Sequence, residues 1–317
     1  MSTPISSAAE SAERLAQAAW LYYVDGLTQA EIAKALFVSR PTVGRLLHYA
    51  RETGVVRIDI DTSHLTEVGT AAELKRKFHL EDAVVLPAPG HDLSLGDQFD
   101  RVAAAAAMYV RKHLHPGAVV GLAWGETVQR VLAHLPVAML EGTTLVALSG
   151  GIEYLNARIA SYPEVVDRLR PIPAPLFVST DEVAATLREE EFIRAVLDLG
   201  RTAEVTLTSI GTPTVESTIS RIGLLPASEY EAVRDAGGIG DMLGQWFDRN
   251  GDPINVPGAH RHIGLSLAEL SDQKEVVAVV AGVHKVEAVR AALHGGYVDV
   301  LITDEALAKG LLNQGDR

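Results

Sequence analysis

The chain has 317 residues, 47% of them hydrophobic, with no cysteine and a formal net charge of −13. That length requires two domains, one large enough to bury a substantial core, and the lack of cysteine excludes disulfides, thiolate metal sites and a cysteine nucleophile. The acidic total excludes nucleic-acid binding over the whole surface, because phosphate attraction needs clustered Lys and Arg.

No run of about 18 apolar residues is present to cross a bilayer, and the N-terminus lacks a basic segment followed by an apolar one. A cytoplasmic protein without a membrane partner is therefore expected. Charge is uneven along the chain. Within 26–57, Lys34, Arg40, Arg45, Arg51 and Arg57 stand against Glu31 and Glu52, a local balance of +3 that leaves −16 for the remainder. A mildly basic module on an acidic body is the asymmetry of a DNA reader joined to a scaffold that does not touch DNA.

In chain order, residues 8–25 form the first predicted helix, with Leu15, Ala18, Ala19, Tyr22 and Tyr23 at helical spacing and Asp25 and Gly26 ending it. Thr28 followed by Glu31 three residues later is a capping box, so a second helix starts there and turns Ile32, Ala33 and Leu36 to a core. After a break at Phe37 and Val38, Ser39 is a good N-cap and Pro41 costs nothing in a first turn. A third helix over 40–52 follows, closed by Gly54.

Two short helices joined by a tight turn form a helix-turn-helix, with 40–52 as the recognition helix. On it Val43, Leu46 and Leu47 face the core, leaving Arg40, Thr42 and Arg45 toward the DNA groove, with His48 a further candidate. The expected DNA surface comprises Thr28, Gln29, Ser39, Arg40, Pro41, Thr42 and Arg45, and VVRIDI at 55–60 is expected to pack beside the helices as a wing. This segment resembles the helix-turn-helix of the SorC family of sugar-responsive regulators, whose pattern is close to GLTQAEIAKALFVSRPTVGRLL here. The boundary is expected near residue 60, with 61–317 as a second domain.

In that second domain, apolar strand candidates at 83–87, 118–123, 143–148, 174–178, 204–210, 276–281 and 298–302 alternate with helical stretches. AVVGLA, TLVALS and VVAVVA are apolar throughout, as in parallel strands covered by helices on both faces. The expected fold is a Rossmann-like three-layer α/β domain, with ligands bound at the carboxyl ends of the strands. The loops there are rich in Gly, hydroxyl and charged residues: WGET at 124–127, SGGI at 149–152, SIGTPTVEST at 209–218, GGIGD at 237–241, AGVHK at 281–285 and TDE at 303–305. WGET precedes a helix whose free N–H groups suit an anion, and Lys285 begins another helix in the same way.

No cofactor is expected, since GGIGDMLG does not follow a long apolar strand as a dinucleotide fingerprint would, and the Walker spacing is absent. His113 with His115, and His260 with His262, lack the four-residue spacing of a helical zinc motif, so no metal is expected either.

WGET, SGGI, PAPLFVST, GGIGDMLGQWFDRNGDPI and AGVHKVEAVRAALHGGYVDVLITDEALAKGLL all look like the SorC family's effector domain, so the resemblance runs over nearly the whole chain. It implies a fold similar to sugar-phosphate isomerases of the glucosamine-phosphate deaminase type, used for sensing, and a tetrameric assembly. It also implies Gly125, Glu126 and Thr127 as an anion loop, Arg221 and Lys285 as basic contacts, and Asp241 as acceptor for sugar hydroxyls. Ser149, Gly150, Gly151 and Asp304 complete the expected effector site from the strand-end loops. Glu126 puts a carboxylate where a phosphate cradle has a hydroxyl or a cation, which leaves an unphosphorylated sugar or polyol as the alternative to a sugar phosphate.

The expected function is a DNA-binding regulator of carbohydrate metabolism, a dimer or tetramer on operator DNA, controlled by a sugar, polyol or sugar-phosphate effector. The competing reading is a sugar-phosphate isomerase or hydrolase with Asp241, Asp304, Glu305 and Lys285 as an acid–base set. A helix-turn-helix has no use in such an enzyme, whereas the regulator reading uses both halves of the chain.

Overall fold

The structure, a computed structural model, describes residues 8–56, 58, 69–89, 93–135, 137–151, 167–214, 217–256 and 261–313. It divides into two compact units, Met1–Ile60 and Asp61–Arg317.

The first unit is built from α1 (Ala8–Tyr23), α2 (Gln29–Ala35) and α3 (Arg40–Glu52). Local chemistry sets each boundary. At the start of α2 the Thr28 hydroxyl accepts from the Glu31 amide while Glu31 Oε2 accepts from the Thr28 amide at 2.8 Å, so two otherwise unpaired N–H groups are satisfied. Ser39 caps α3 by accepting from the Thr42 amide at 3.3 Å, with Pro41 in the first turn. Phe37, at φ 53°, takes a left-handed conformation that stops α2 from continuing into α3.

Ala18, Ile32, Val43 and Leu47 make the small core, with Leu21, Leu36 and Leu46 around it. Tyr22 and Tyr23 lie outside that core, contrary to the spacing argument, and stack edge-to-face on each other at 4.9 Å. Val55 and Val56 form no strand, and 57, 59 and 60 lie outside the described residues, so the expected wing is not seen.

The second unit is a seven-stranded parallel sheet. In chain order it consists of α4 (Thr70–Phe78), β1 (Asp82–Leu86), α5 (Leu95–Val110), β2 (Val119–Leu122), α6 (Glu126–His134), β3 (Thr144–Ala147), β4 (Leu169–Arg170), α7 (Asp181–Glu189), α8 (Glu191–Gly200), β5 (Val205–Thr208), α9 (Thr218–Arg221), α10 (Ala227–Asp235), β6 (Gly240–Met242), β7 (Gln245–Phe247), α11 (Leu267–Ser271), β8 (Val276–Val280), α12 (Val286–His294), β9 (Val300–Asp304) and α13 (Glu305–Asn313).

The strands read as unbroken apolar runs because both faces are covered. Along β8, Val277 and Val279 pack with residues of α5 and α6, such as Val102, Ala106, Val128 and Val131. Val276, Ala278 and Val280 point the other way, into a cluster with Leu74 of α4, Leu197 of α8, Val289 of α12 and Leu307 of α13. Successive residues serve opposite layers, as the two-residue period of a strand requires.

The strand order is β1-β9-β8-β5-β2-β3-β4. From β2 the chain runs outward through β3 to β4, then returns to lay β5 against the other side of β2. The loops after β2 and β5 therefore leave in opposite directions, and a crevice opens between them at the strands' carboxyl ends.

Two expectations are corrected. Residues 174–178 are not a strand; only Phe177 makes a bridge, to His262. Pro171, Pro173 and Pro175 alternate through this stretch and remove the amides a ladder would need, so the edge strand is Leu169–Arg170 instead. GGIGD is not wholly a loop either. Gly240 and Asp241 enter β6, paired antiparallel with β7 through the turn residues Leu243 at φ 56° and Gly244 at φ 81°. Two left-handed residues in a two-residue loop match the twist of a hairpin.

A third apolar cluster, with Trp124, Leu176, Ile219, Leu225, Tyr230, Val233 and Trp246, joins α9, α10 and this hairpin beyond the end of β2. Leu207 lies on β5 in the middle of the sheet and is fully buried. Leu207→Ala is expected to destabilise the second unit by about 2–5 kcal/mol, read from its denaturant unfolding transition, because the packed sheet cannot collapse into the space left.

Candidate functional site

Arg40, Pro41, Arg45 and His48 are exposed on one side of α3 and Thr42 is half-buried, while Val43 and Leu47 hold the other side in the core. Ser39 Oγ and Thr42 Oγ1 lie 2.8 Å apart, and Arg45 donates to Thr42 Oγ1 at 3.4 Å. The cap that starts the helix thus also steadies Arg45. Thr28 is exposed and Gln29 half-buried, its amide oxygen packed near Gly44 of α3. Six of the seven residues expected to meet DNA cap or open α2 and α3, and Arg45 lies in the next turn of α3.

In the second unit the crevice between β2 and β5 begins at Gly125, whose φ of 134° turns the chain from β2 into α6. No side chain caps α6, so its first amides are open. Glu126 is not the bare carboxylate expected. Its Oε1 accepts from Arg130 at 2.7 Å and its Oε2 from Arg221 of α9 at 2.9 Å, and the Arg130 bond, ahead of burial, holds its pKa below the usual carboxylate range. A carboxylate shared by two guanidiniums does not repel an anion as an isolated one would. It is, equally, not a free acceptor for sugar hydroxyls. Thr127 is buried one residue further on.

Asp241 is buried on β6, and that burial pushes its pKa up to about 6 against the opposing pull of the Lys285 charge and the Gly244 amide. Lys285 donates from Nζ to the Ile210 carbonyl at 2.8 Å. Desolvation lowers its pKa, while the charges of Asp241 and Glu126 hold it up. Phe99 places its ring 5.6 Å from that ammonium. The electrostatic reach of Lys285 to both acids, and the bond from Glu126 to Arg221, tie Glu126, Arg221, Asp241 and Lys285 into one neighbourhood.

The remaining expected residues follow or end other strands. Ser149 follows β3; it is 2% exposed, and its hydroxyl has no hydrogen-bond partner among the described residues. Gly150 and Gly151 have packing reasons of their own. A Cβ on Gly150 would run into the carbonyl oxygens of Ala174 and Pro175, and the Gly151 amide donates to Ala174 at 3.0 Å. Asp304 has structural partners of its own. Its Oδ2 accepts from the Gly282 amide at 2.7 Å and its Oδ1 from Leu307 at 2.9 Å, so it caps α13 and braces the loop that carries Lys285. Arg130, Ile210 and Gly211 were missed. Arg130 was readable as the i+4 partner of Glu126, whereas nothing local marks the other two. Among the described residues no group of three or more His, Cys, Asp or Glu is arranged to hold a metal ion.

Comparison with known proteins bears on both units. Residues 65–313 match a family model described as "Putative sugar-binding domain" and residues 9–57 a "Homeodomain-like domain". The chain is 33% identical to the transcriptional regulator LsrR of Klebsiella pneumoniae over 304 residues, 95% of this chain and 93% of that one. It is 30% identical to the erythritol catabolism regulatory protein EryD of Brucella abortus over 309 residues, 94% and 96% of the two chains. Among solved structures, the full-length sorbitol operon regulator SorC from Klebsiella pneumoniae superposes with a TM-score of 0.70 at 24% identity, covering 95% of this chain and 98% of that one, which speaks to the fold.

The raised pKa of Asp241 has a direct consequence for stability. Between the ordinary value of 3.8 and about 6, the folded state holds a proton that the unfolded state has released. The contribution is fully present below 3.8 and is lost as pH rises through 6. At about 1.4 kcal/mol per pH unit it is at most on the order of 3 kcal/mol. Melting curves of the wild type and Asp241→Asn are expected to show the wild type gaining on the variant as pH falls from about 7 to about 4.

Proposed function

The chain belongs to the SorC family of sugar-responsive transcriptional regulators, and from that premise we propose that it binds operator DNA through α2 and α3 and reads a small polyhydroxylated effector at the crevice between β2 and β5. The observation that carries the effector half of this reading is the buried Asp241 within electrostatic reach of the half-buried Lys285 at the sheet's switch point. Burying a carboxylate costs several kcal/mol before any attraction is counted, and a site that carries that cost with an acceptor in electrostatic reach of a cation suits a ligand bearing hydroxyls. Arg221, Arg130 and the open amides of α6 add donors for a phosphate. Glu126 assists by aligning the two guanidiniums rather than by touching hydroxyls.

Effector binding alters DNA affinity only if it favours one arrangement of the protein over another. No catalytic step is assigned to Asp241, Lys285 or Glu305. One recognition helix buries too little surface for tight specific binding, so the reading includes a dimer or tetramer on repeated or pseudo-palindromic half-sites. No helix among the described residues is long and apolar enough to cross a membrane; the cytoplasmic site of action in this reading follows from binding operator DNA, in keeping with relatives named as transcriptional regulators.

Arg40→Ala and Arg45→Ala are each expected to weaken operator binding by about 1–3 kcal/mol where they read bases; gel-shift titration against operator and scrambled DNA measures it. For the effector, calorimetry and gel shifts with sorbitol, ribose and ribose 5-phosphate as probes test the site. Lys285→Ala is expected to lose the response to the phosphate ester while largely keeping any response to the neutral probes. Asp241→Ala is expected to impair both, by leaving ligand hydroxyls unpaired. Both variants are expected to retain the operator.

A further inference from the structure

We propose that Gly211 is the positioning residue of the effector site: the space its absent side chain leaves is the space that the Asp241 carboxyl group occupies. This inference rests on the effector reading above. Gly211 follows β5, and Asp241 lies in β6, 30 positions later in the sequence. The two backbones bridge in both directions, the Gly211 amide donating to the Asp241 carbonyl at 2.9 Å and the Asp241 amide to the Gly211 carbonyl at 3.2 Å. A Cβ on Gly211 would overlap Asp241 Oδ1 and stand 2.9 Å from its Cγ. The Asp241 side chain is short, its root is fixed by the backbone bridge and its tip is buried, so it can yield to such a Cβ only by leaving the place it holds.

The requirement for glycine here is steric and not conformational. Gly211 is absent from the residues at positive φ, so alanine meets no objection from the backbone itself. Ile210, the residue before, accepts the Lys285 ammonium at its carbonyl. One dipeptide at the end of the central strand therefore places both members of the charged pair: the carbonyl of Ile210 locates the cation, and the bare Cα of Gly211 admits the anion beside it. Any side chain at 211 would drive the carboxyl group away from that place, and with it the acceptor a polyhydroxylated ligand needs.

A double-mutant cycle on the full chain tests this. Gly211→Ala is expected to melt about 3 °C or more below wild type, whereas Gly211→Ala combined with Asp241→Ala is expected to melt with Asp241→Ala alone, since removing the carboxyl group vacates the space. Additive losses would overturn the proposal, and this comparison stands even if the single variant fails to fold. A second reading comes from the Asp241 carboxyl carbon, labelled with carbon-13 and assigned by its loss in Asp241→Asn. In Gly211→Ala its titration is expected to fall from about 6 toward the ordinary carboxylate range as the group is pushed toward water; an unchanged titration would overturn the proposal. Ribose and ribose 5-phosphate separate the two layers of the argument. If Asp241→Ala keeps the full response to both while the cycle shows coupling, the effector reading falls and the positioning stands. If Asp241→Ala loses the response and Gly211→Ala keeps it, the positioning falls alone.

Discussion

Asp241 is buried and Lys285 half-buried beside a sheet whose strands are covered on both faces, and the arrangement of the second unit answers the cost of keeping them there. Neither charge is tolerable alone in such surroundings: the acid gives up part of its acidity and the lysine part of its basicity. What makes the pair tenable is the switch in strand order, which sets β5 beside β2 and opens the crevice into which α6, β6 and the segment before α12 all deliver polar groups. A similar pair of apolar residues would serve stability as well or better. On the proposed reading, a ligand's own groups complete the balance of the charge retained at this point.

Around that pair the remaining charges are organised by pairing rather than by net sign. Glu126 is held between Arg130 of its own helix and Arg221 of a short helix 95 residues further along the chain. This turns what reads as an unwelcome carboxylate into an aligning group for two guanidiniums. Arg221 remains 55% exposed at its side chain, so that ion pair contributes little stability by itself and is open to exchange with an incoming anion. Asp304 accepts from the Gly282 amide and so braces the loop that leads to Lys285.

The DNA-binding unit obeys a different economy. Its core is only a few side chains, so much of its definition comes from helix caps: the reciprocal box of Thr28 and Glu31, and Ser39 with the first turn of α3. Each cap is worth about 1 kcal/mol, a large share for a module of this size. The Ser39 hydroxyl starts the helix that carries Arg40 and Arg45, so stability and the presentation of the proposed reading surface depend partly on the same atoms.

Those caps are the part of this protein that the sequence by itself determined, because a hydroxyl three residues from a carboxylate acts over one turn and needs nothing remote. The bounds of α2 and α3, the proline in the first turn of α3, the apolar runs of β2, β5 and β8 and the i+4 tie of Glu126 to Arg130 all have that local character. Only the tertiary structure decided the rest. The two left-handed residues at Leu243 and Gly244 made a hairpin where Gly-rich sequence read as loop. Gly211 met Asp241, and Ile210 met Lys285, through a strand order that local patterning does not encode. Such contacts follow from which strand lies beside which, and that is settled by burying two faces of one sheet at once, a constraint on the whole unit that no short stretch of chain carries.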